Sequence, residues 1–217
     1  MTETFISVIM LDNVRLDRVS LVQPYIGQDA PIDPATGKKI GKYHVDVIFG
    51  ADHPQFPKVQ EIIRAVAERK WKELAPAILQ QIAPINKQFC LQRGDVWRPG
   101  KPAYAGKLYI SASNKEQPTV VVTEGNTNIA TRGTLPILTP AHKDFPYSGS
   151  YANVQLRFFA YERGGNGISA EVLGVQFLRH GVRTGGSSLS AASEFGLVPA
   201  DADAAAPTAV TGSAGLI

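Results

Sequence analysis

Residues 147–183 read YSGSYANVQLRFFAYERGGNGISAEVLGVQFLRHGVR, two runs of strand-forming residues joined by a glycine-rich turn. Between Tyr151 and Tyr161 the side chains divide with period two. Val154, Leu156, Phe158 and Ala160 fall on one face, and Asn153, Gln155, Arg157, Phe159 and Tyr161 on the other, the pattern of a strand with one buried side. The second face mixes rings with a cation where a plain outer face would be polar. Such a face needs a covering element or a partner with flat, apolar and anionic parts. Arg163-Gly164-Gly165-Asn166-Gly167 supplies a turn whose positive φ angles suit Gly and Asn. Gly174, inside the second run, predicts a bulge or a close backbone approach.

Upstream, residues 88–113 read QFCLQRGDVWRPGKPAYAGKLYISAS. Residues 89–92 form a short strand. In the next, Leu108, Ile110 and Ala112 face inward, leaving Lys107, Tyr109 and Ser111 outside. The loop between carries Arg93, Trp97, Arg98, Lys101 and Tyr104. Rings interleaved with cations are what a sequence-tolerant single-strand binder uses, with stacking worth roughly 1–3 kcal/mol per base and each phosphate contact adding salt-dependent affinity. On this reading Ala at Tyr109 or Phe159 weakens binding and leaves the thermal midpoint nearly unchanged.

The rest of the chain builds the scaffold. The segment 4–11 and the positions Val14, Leu16, Val19, Leu21 and Val22 predict early strands with a turn or bulge at Asp12-Asn13. Residues 24–42, rich in Pro, Gly and Asp, form a long surface loop with Lys38, Lys39 and Lys42. Residues 43–49 alternate as a strand, with Val45, Val47 and Phe49 opposite His44, Asp46 and Ile48. From Phe56 to Ile82, apolar residues recur at helical spacing. Pro57 suits a first turn, and Pro76 predicts two helices or a kink near Ala75. Residues 118–123 form a further short strand, and 125–146 are irregular, with Arg132 and Lys143 as candidate contacts and His142 on the surface.

With 217 residues and 44% hydrophobic content the chain can bury a full core. Fifteen Pro and twenty Gly suit a turn-rich β protein. All 22 Lys and Arg precede Ser187, whereas Glu194, Asp201 and Asp203 follow it, so a basic body precedes a weakly acidic tail. The Gly/Ser/Ala/Pro-rich stretch 187–217 is expected to be disordered. The lone Cys90 excludes an internal disulfide and reads as a buried, inert thiol. No apolar run is long enough for a membrane helix, and the N-terminus lacks the basic start of a secretory signal.

Catalytic chemistry is not indicated. His44, His53, His142 and His180 lack the paired spacing of a zinc site, and the run 164–167 lacks the Lys-Ser/Thr of a phosphate loop. Asp46 with Asp52, or Glu162 with Glu171, could converge as a two-metal nuclease site, but nothing in their spacing asks for it. No cofactor, metal or catalytic residue is expected.

The residues Tyr147-Ser148-Gly149-Ser150-Tyr151-Ala152-Asn153, Phe159-Ala160-Tyr161, Gly167-Ile168-Ser169, Gly174-Val175-Gln176-Phe177-Leu178-Arg179 and Gly185-Gly186 resemble, in order and spacing, a family of single-stranded DNA-binding proteins of tailed bacteriophages. The likeness extends more weakly back to about residue 4. It implies a mainly β protein with an inserted helical segment: an OB-like five-stranded barrel with extra strands over 1–186, followed by a flexible tail over 187–217. Such a barrel often carries a helix between its third and fourth strands.

The implied partner is single-stranded DNA, coated during phage replication or recombination in the cytoplasm of the bacterial host by a monomer or weak homodimer. The tail would serve either as a docking segment for replication or recombination proteins or as a plain solvated terminus. The nucleic-acid contacts expected on the residues themselves are Arg93, Trp97, Arg98, Lys101, Tyr104, Lys107, Tyr109, Tyr151, Arg157, Phe159 and Tyr161. The competing reading is a virion assembly β protein whose outer rings form a protein interface.

Overall fold

A computed structural model describes residues 7–124, 127–129 and 145–184. The strands are β1 (Val8–Tyr25), β2 (Lys42–Phe49), β3 (Leu91–Arg93), β4 (Leu108–Asn114), β5 (Thr119–Glu124), β6 (Thr127–Ile129), β7 (Tyr151–Tyr161) and β8 (Gly167–Arg179). The helices are α1 (Phe56–Trp71), α2 (Ala75–Ile82) and the single turn α3 (Gly94–Trp97). The tail 187–217, with its expected disorder and docking role, lies outside the described residues, as do Arg132, His142 and Lys143.

Antiparallel ladders join β2 to β1, β1 to β7, β7 to β8 and β2 to β4. A parallel contact between Ala112 of β4 and Ala170 of β8 completes the ring, giving the closed order β1-β2-β4-β8-β7 of an OB-type barrel. The remaining strands are additions: β3 pairs with β4, β5 runs parallel to β8, and β6 pairs with β5. Residues 88–90 bridge one end of the seam, where the Cys90 amide donates to the Ile168 carbonyl and the Ser111 amide to the Cys90 carbonyl, each at 3.0 Å.

Period-two patterning fills the barrel. Leu11, Val14 and Leu16 of β1, Val45, Val47 and Phe49 of β2, Ile110 and Ala112 of β4, Ala152, Val154, Leu156 and Phe158 of β7, and Ile168, Ala170, Val172 and Val175 of β8 share one buried cluster. Cys90 is buried in it, and burial pushes its thiol up to about 12. The thiol is therefore expected to react with a colorimetric thiol reagent only after the protein is unfolded, because the thiolate is the nucleophile; rapid reaction of the native protein would contradict this placement.

The helical segment breaks where Pro76 predicts it. A 3-10 turn over Lys72–Leu74 separates α1 from α2, and Pro76 lies in the first turn of α2. Val59, Ile62, Ile63, Val66, Ala67 and Trp71 of α1 enter the core. The segment sits between the second and third barrel strands, β2 and β4, and not between the third and fourth as in the commoner arrangement. The α1 start is tied to the β1 bulge at Asp12-Asn13, where the register shifts between Leu11 and Val14 and Asn13 has φ +50°. A bulge frees backbone groups from the ladder, and Gln55 and His53 take them. Gln55 Oε1 accepts from the Asp12 amide at 2.8 Å, its Nε2 donates to the Met10 carbonyl at 2.9 Å, and His53 Nε2 lies 2.9 Å from the Asp12 carbonyl.

The Gly174 expectation also holds: pairing passes from Gln155↔Gly174 to Leu156↔Val172, leaving Leu173 as the bulged residue. In the β7–β8 turn, Gly164 and Gly165 have φ +82° and +111°.

Candidate nucleic-acid interface

The outer face of β2 and β4 is where an OB-type barrel commonly receives a strand, and here the chain covers much of it. Residues 94–106 fold over that face, so Tyr104 and Tyr109 are fully buried. Their rings meet edge to face at 5.2 Å, with Ile48 and part of Trp97 packed around them. The expectation that both tyrosines line an exposed surface is thus corrected. Tyr109 does point out of the barrel, as its register opposite Ile48 requires, but outward is not the same as exposed.

Charged groups fasten the cover. The Tyr104 hydroxyl donates its one proton towards Asp17 Oδ2 at 2.8 Å and Asp46 Oδ2 at 2.9 Å. Burial and the two carboxylates raise the Tyr104 phenol well above its ordinary range, so it stays a donor. Arg98 donates from Nη2 to Asp46 Oδ2 at 3.2 Å, and its guanidinium lies 5.0 Å from the centre of the Tyr109 ring. Asp46 has no accessible surface in its side chain. Burial alone would push its carboxyl up, but His44, Arg18 and the Tyr104 hydroxyl more than offset this, and it titrates below the ordinary value. His44 Nδ1 donates to the Arg18 carbonyl at 2.9 Å. Its Nε2, 3.4 Å from Asp46 Oδ1, therefore carries a proton towards that oxygen only in the doubly protonated ring.

On the neighbouring side, residues 147–151 and 180–184 lock together. Gly149 has φ +109°, and a Cβ there would stand 2.1 Å from the Val182 carbonyl oxygen, so only glycine fits this turn. The Tyr147 hydroxyl donates to the Gly181 carbonyl at 2.9 Å, and Thr184 Oγ1 donates to Asp17 Oδ1 at 2.9 Å. The guanidinium of Arg183 lies 4.0 Å from the Tyr147 ring centre and that of Arg179 3.5 Å from the Tyr151 ring centre. Arg15 pairs with Tyr151, and Tyr151 with Arg179, across β1, β7 and β8. A cation–ring–cation row thus crosses three strands. Beside it opens a groove of ≈ 730 Å³ bounded by Arg15, Arg18, Lys101, Arg183, Pro102 and Val182.

A second groove, of ≈ 520 Å³, runs along β7, β8 and the end of β4 and includes Lys42, Lys115, Arg157, Phe159, Glu116 and Glu171. Arg157 Nε donates to Glu171 Oε2 at 2.7 Å, so this cation is compensated. Phe159 is 37% exposed.

The sequence-derived residues consequently do not form one face. Arg98 and Tyr104 of the cover bond Asp46, Trp97 packs beside Tyr104, and Tyr109 lies beneath them on β4. Lys101 borders the first groove, whereas Arg93 and Lys107 are exposed but line neither groove. Arg157 and Phe159 share the second groove. Tyr151 is half-buried beneath Arg179, and Tyr161 is half-buried with its hydroxyl donating to the Lys87 carbonyl at 3.1 Å. Sequence reasoning missed Arg15, Arg18, Arg179 and Arg183. Arg18 lies at a second β1 bulge with φ +50°, a conformation that nothing in its neighbouring residue types signals. Among the described residues no cluster of three or more His, Cys, Asp or Glu could hold a metal, and no helix is long and apolar enough to cross a membrane.

Comparison with known proteins places this geometry in context. A family model described as "Enterobacter phage Enc34, ssDNA-binding protein" matches residues 7–205. "Putative protein p50" of Acyrthosiphon pisum secondary endosymbiont phage 1 is 32% identical over 192 residues, 86% of this chain and 91% of that protein. The single-stranded DNA-binding protein from bacteriophage Enc34, solved in complex with ssDNA, superposes with a TM-score of 0.60 at 22% identity, covering 82% of this chain and 90% of that one. A further structure of the single-stranded DNA-binding protein from bacteriophage Enc34 superposes with a TM-score of 0.58 at 19% identity, over 87% of this chain and 90% of that one. At these identities the two structures establish likeness of fold.

Proposed function

Since the chain belongs to the phage single-stranded DNA-binding family represented by the Enterobacter phage Enc34 protein, we propose that it binds single-stranded DNA without reading its sequence. The setting is phage replication or recombination in the cytoplasm of the host cell. The observation that carries this reading is the OB-type barrel matched over most of its length to that family, including a solved relative in complex with ssDNA. The surface agrees in chemistry: Arg15, Arg18, Lys101 and Arg183 border one open groove, and Phe159 offers a partly exposed ring in another. Cations for phosphates and rings for bases are the two elements of sequence-tolerant binding. The role is that of a binding protein without a catalytic step, acting as a monomer or weak homodimer, with the tail 187–217 as the segment that engages replication or recombination proteins.

The test is fluorescence anisotropy of labelled oligo-dT and of a matched duplex, each titrated with the full chain at two salt concentrations. The expected result is preference for the single strand and affinity that falls steeply with salt. Failure to bind either oligonucleotide removes the reading. A stoichiometric oligomer by size-exclusion chromatography with light scattering would then favour the virion-assembly alternative.

A further inference from the structure

From the groove beside the cation–ring–cation row we infer a seat for the strand: its phosphates lie against Arg15, Arg18, Lys101 and Arg183, with a base against Pro102 and Val182. This rests on the single-stranded DNA reading and adds to it the place where the backbone runs.

The first argument is charge. Four cations border the groove against a single lining carboxylate, Asp17, whose oxygens already accept from Thr184 and Tyr104. The second groove sets Lys42, Lys115 and Arg157 against Glu116 and Glu171 and is much closer to neutral. An anionic polymer is drawn to the first of these.

The second argument is that three of the four cations are held in place. Arg15 donates from Nη2 to the Val182 carbonyl at 3.0 Å, and its Nε is buried without a hydrogen-bond partner. Arg183 rests on the Tyr147 ring. Arg18 occupies the left-handed region at a bulge, a costly conformation for a non-glycine residue. Its guanidinium reaches to 3.7 Å from Asp46 while its side chain stays 44% exposed. Ordering long side chains beforehand lowers the entropy cost of binding.

Shape adds a third argument. Val182 is 81% exposed although it is an apolar residue flanked by cations. It faces the groove with Pro102, the surface a flat base can cover. The row continues past the groove through Tyr151 to Arg179, two strand spacings or about 10 Å from Arg15, which extends the cationic track beyond a single nucleotide.

The test compares Lys101→Ala/Arg183→Ala with Lys58→Ala/Arg64→Ala, which removes equal charge from the outer side of α1. All four side chains are exposed, so both variants are expected to keep the wild-type thermal midpoint. Oligo-dT affinity is measured by anisotropy across a salt series, using the full chain. The groove variant is expected to bind on the order of tenfold more weakly, and its slope of log affinity against log salt to fall by about 1.4, roughly 0.7 for each phosphate that is no longer neutralised. The α1 variant should retain the wild-type slope. If wild type binds and the groove variant matches the α1 variant in affinity and slope, the inference is overturned while the function stands. If wild type fails to bind, both fall together.

Discussion

Tyr109→Ala is expected to lower the free energy of unfolding by about 3–5 kcal/mol, the range for removing a buried aromatic side chain, whereas Phe159→Ala should cost less than about 1 kcal/mol. From the strand pattern alone the two rings look equivalent, each on an outward position of a barrel strand. In the structure Tyr109 has no accessible surface, meets Tyr104 edge to face and lies under the Arg98 guanidinium. Truncation opens a cavity and removes both ring interactions. Phe159 is 37% exposed and already faces solvent. Urea denaturation followed by tryptophan fluorescence distinguishes them, since Trp97 packs against the Tyr104–Tyr109 pair. For a domain of this size the Tyr109 variant should melt roughly 10 °C or more below wild type. An unchanged midpoint together with abolished oligonucleotide binding would return Tyr109 to the role of a stacking platform.

The second large effect belongs to Asp46. Asp46→Ala is expected to cost about 3–5 kcal/mol, because removing one member of a buried charged network leaves its partners desolvated and unmatched. The partners so left are Arg98 and His44, while the Tyr104 hydroxyl keeps only Asp17 and the half-exposed Arg18 loses its ion pair, and the substitution should loosen the cover 94–106 from β2.

The same carboxylate predicts a pH dependence. Its folded value lies below the ordinary one, so its contribution is fully present above the unfolded value, near pH 4. That contribution is lost as pH falls through the lower folded value. Thermal midpoints should therefore drop below about pH 4 in wild type, and this part of the decline should be missing from Asp46→Asn. An acid limb of equal steepness in Asp46→Asn would show that other groups govern acid unfolding.

These effects turn on what could and could not be read from the residues. The β7 pattern was legible because one face of a strand either is or is not apolar, and Ala152, Val154, Leu156 and Phe158 are buried as alternation requires. The bulge near Asp12-Asn13, the bulge beside Gly174, the helix break before Pro76 and the inert Cys90 were legible for local reasons. Each depends on φ preference, a missing donor or the polarity of a few neighbours. The motif Tyr147-Ser148-Gly149-Ser150-Tyr151 was legible as a family likeness, but its physical reason was not. Gly149 is required by the Val182 carbonyl, which reaches it only after β8 has crossed the barrel.

The sequence by itself therefore determined the five barrel strands and their inward faces, the two-part helical segment, the basic body and the family, whereas β6 falls within 125–146, which reads as irregular. All of these are set by local periodicity, backbone preference and composition. Tertiary structure alone decided which outward side chains remain outside. Tyr104 is buried because its hydroxyl finds Asp46 and Asp17, 58 and 87 residues away, and the groove exists because residues 15, 18, 101 and 183 meet around a closed barrel. Period two assigns a side chain to one of two faces. Whether water or the chain itself lies beyond that face depends on contacts between distant segments, to which the pattern along a single strand is blind.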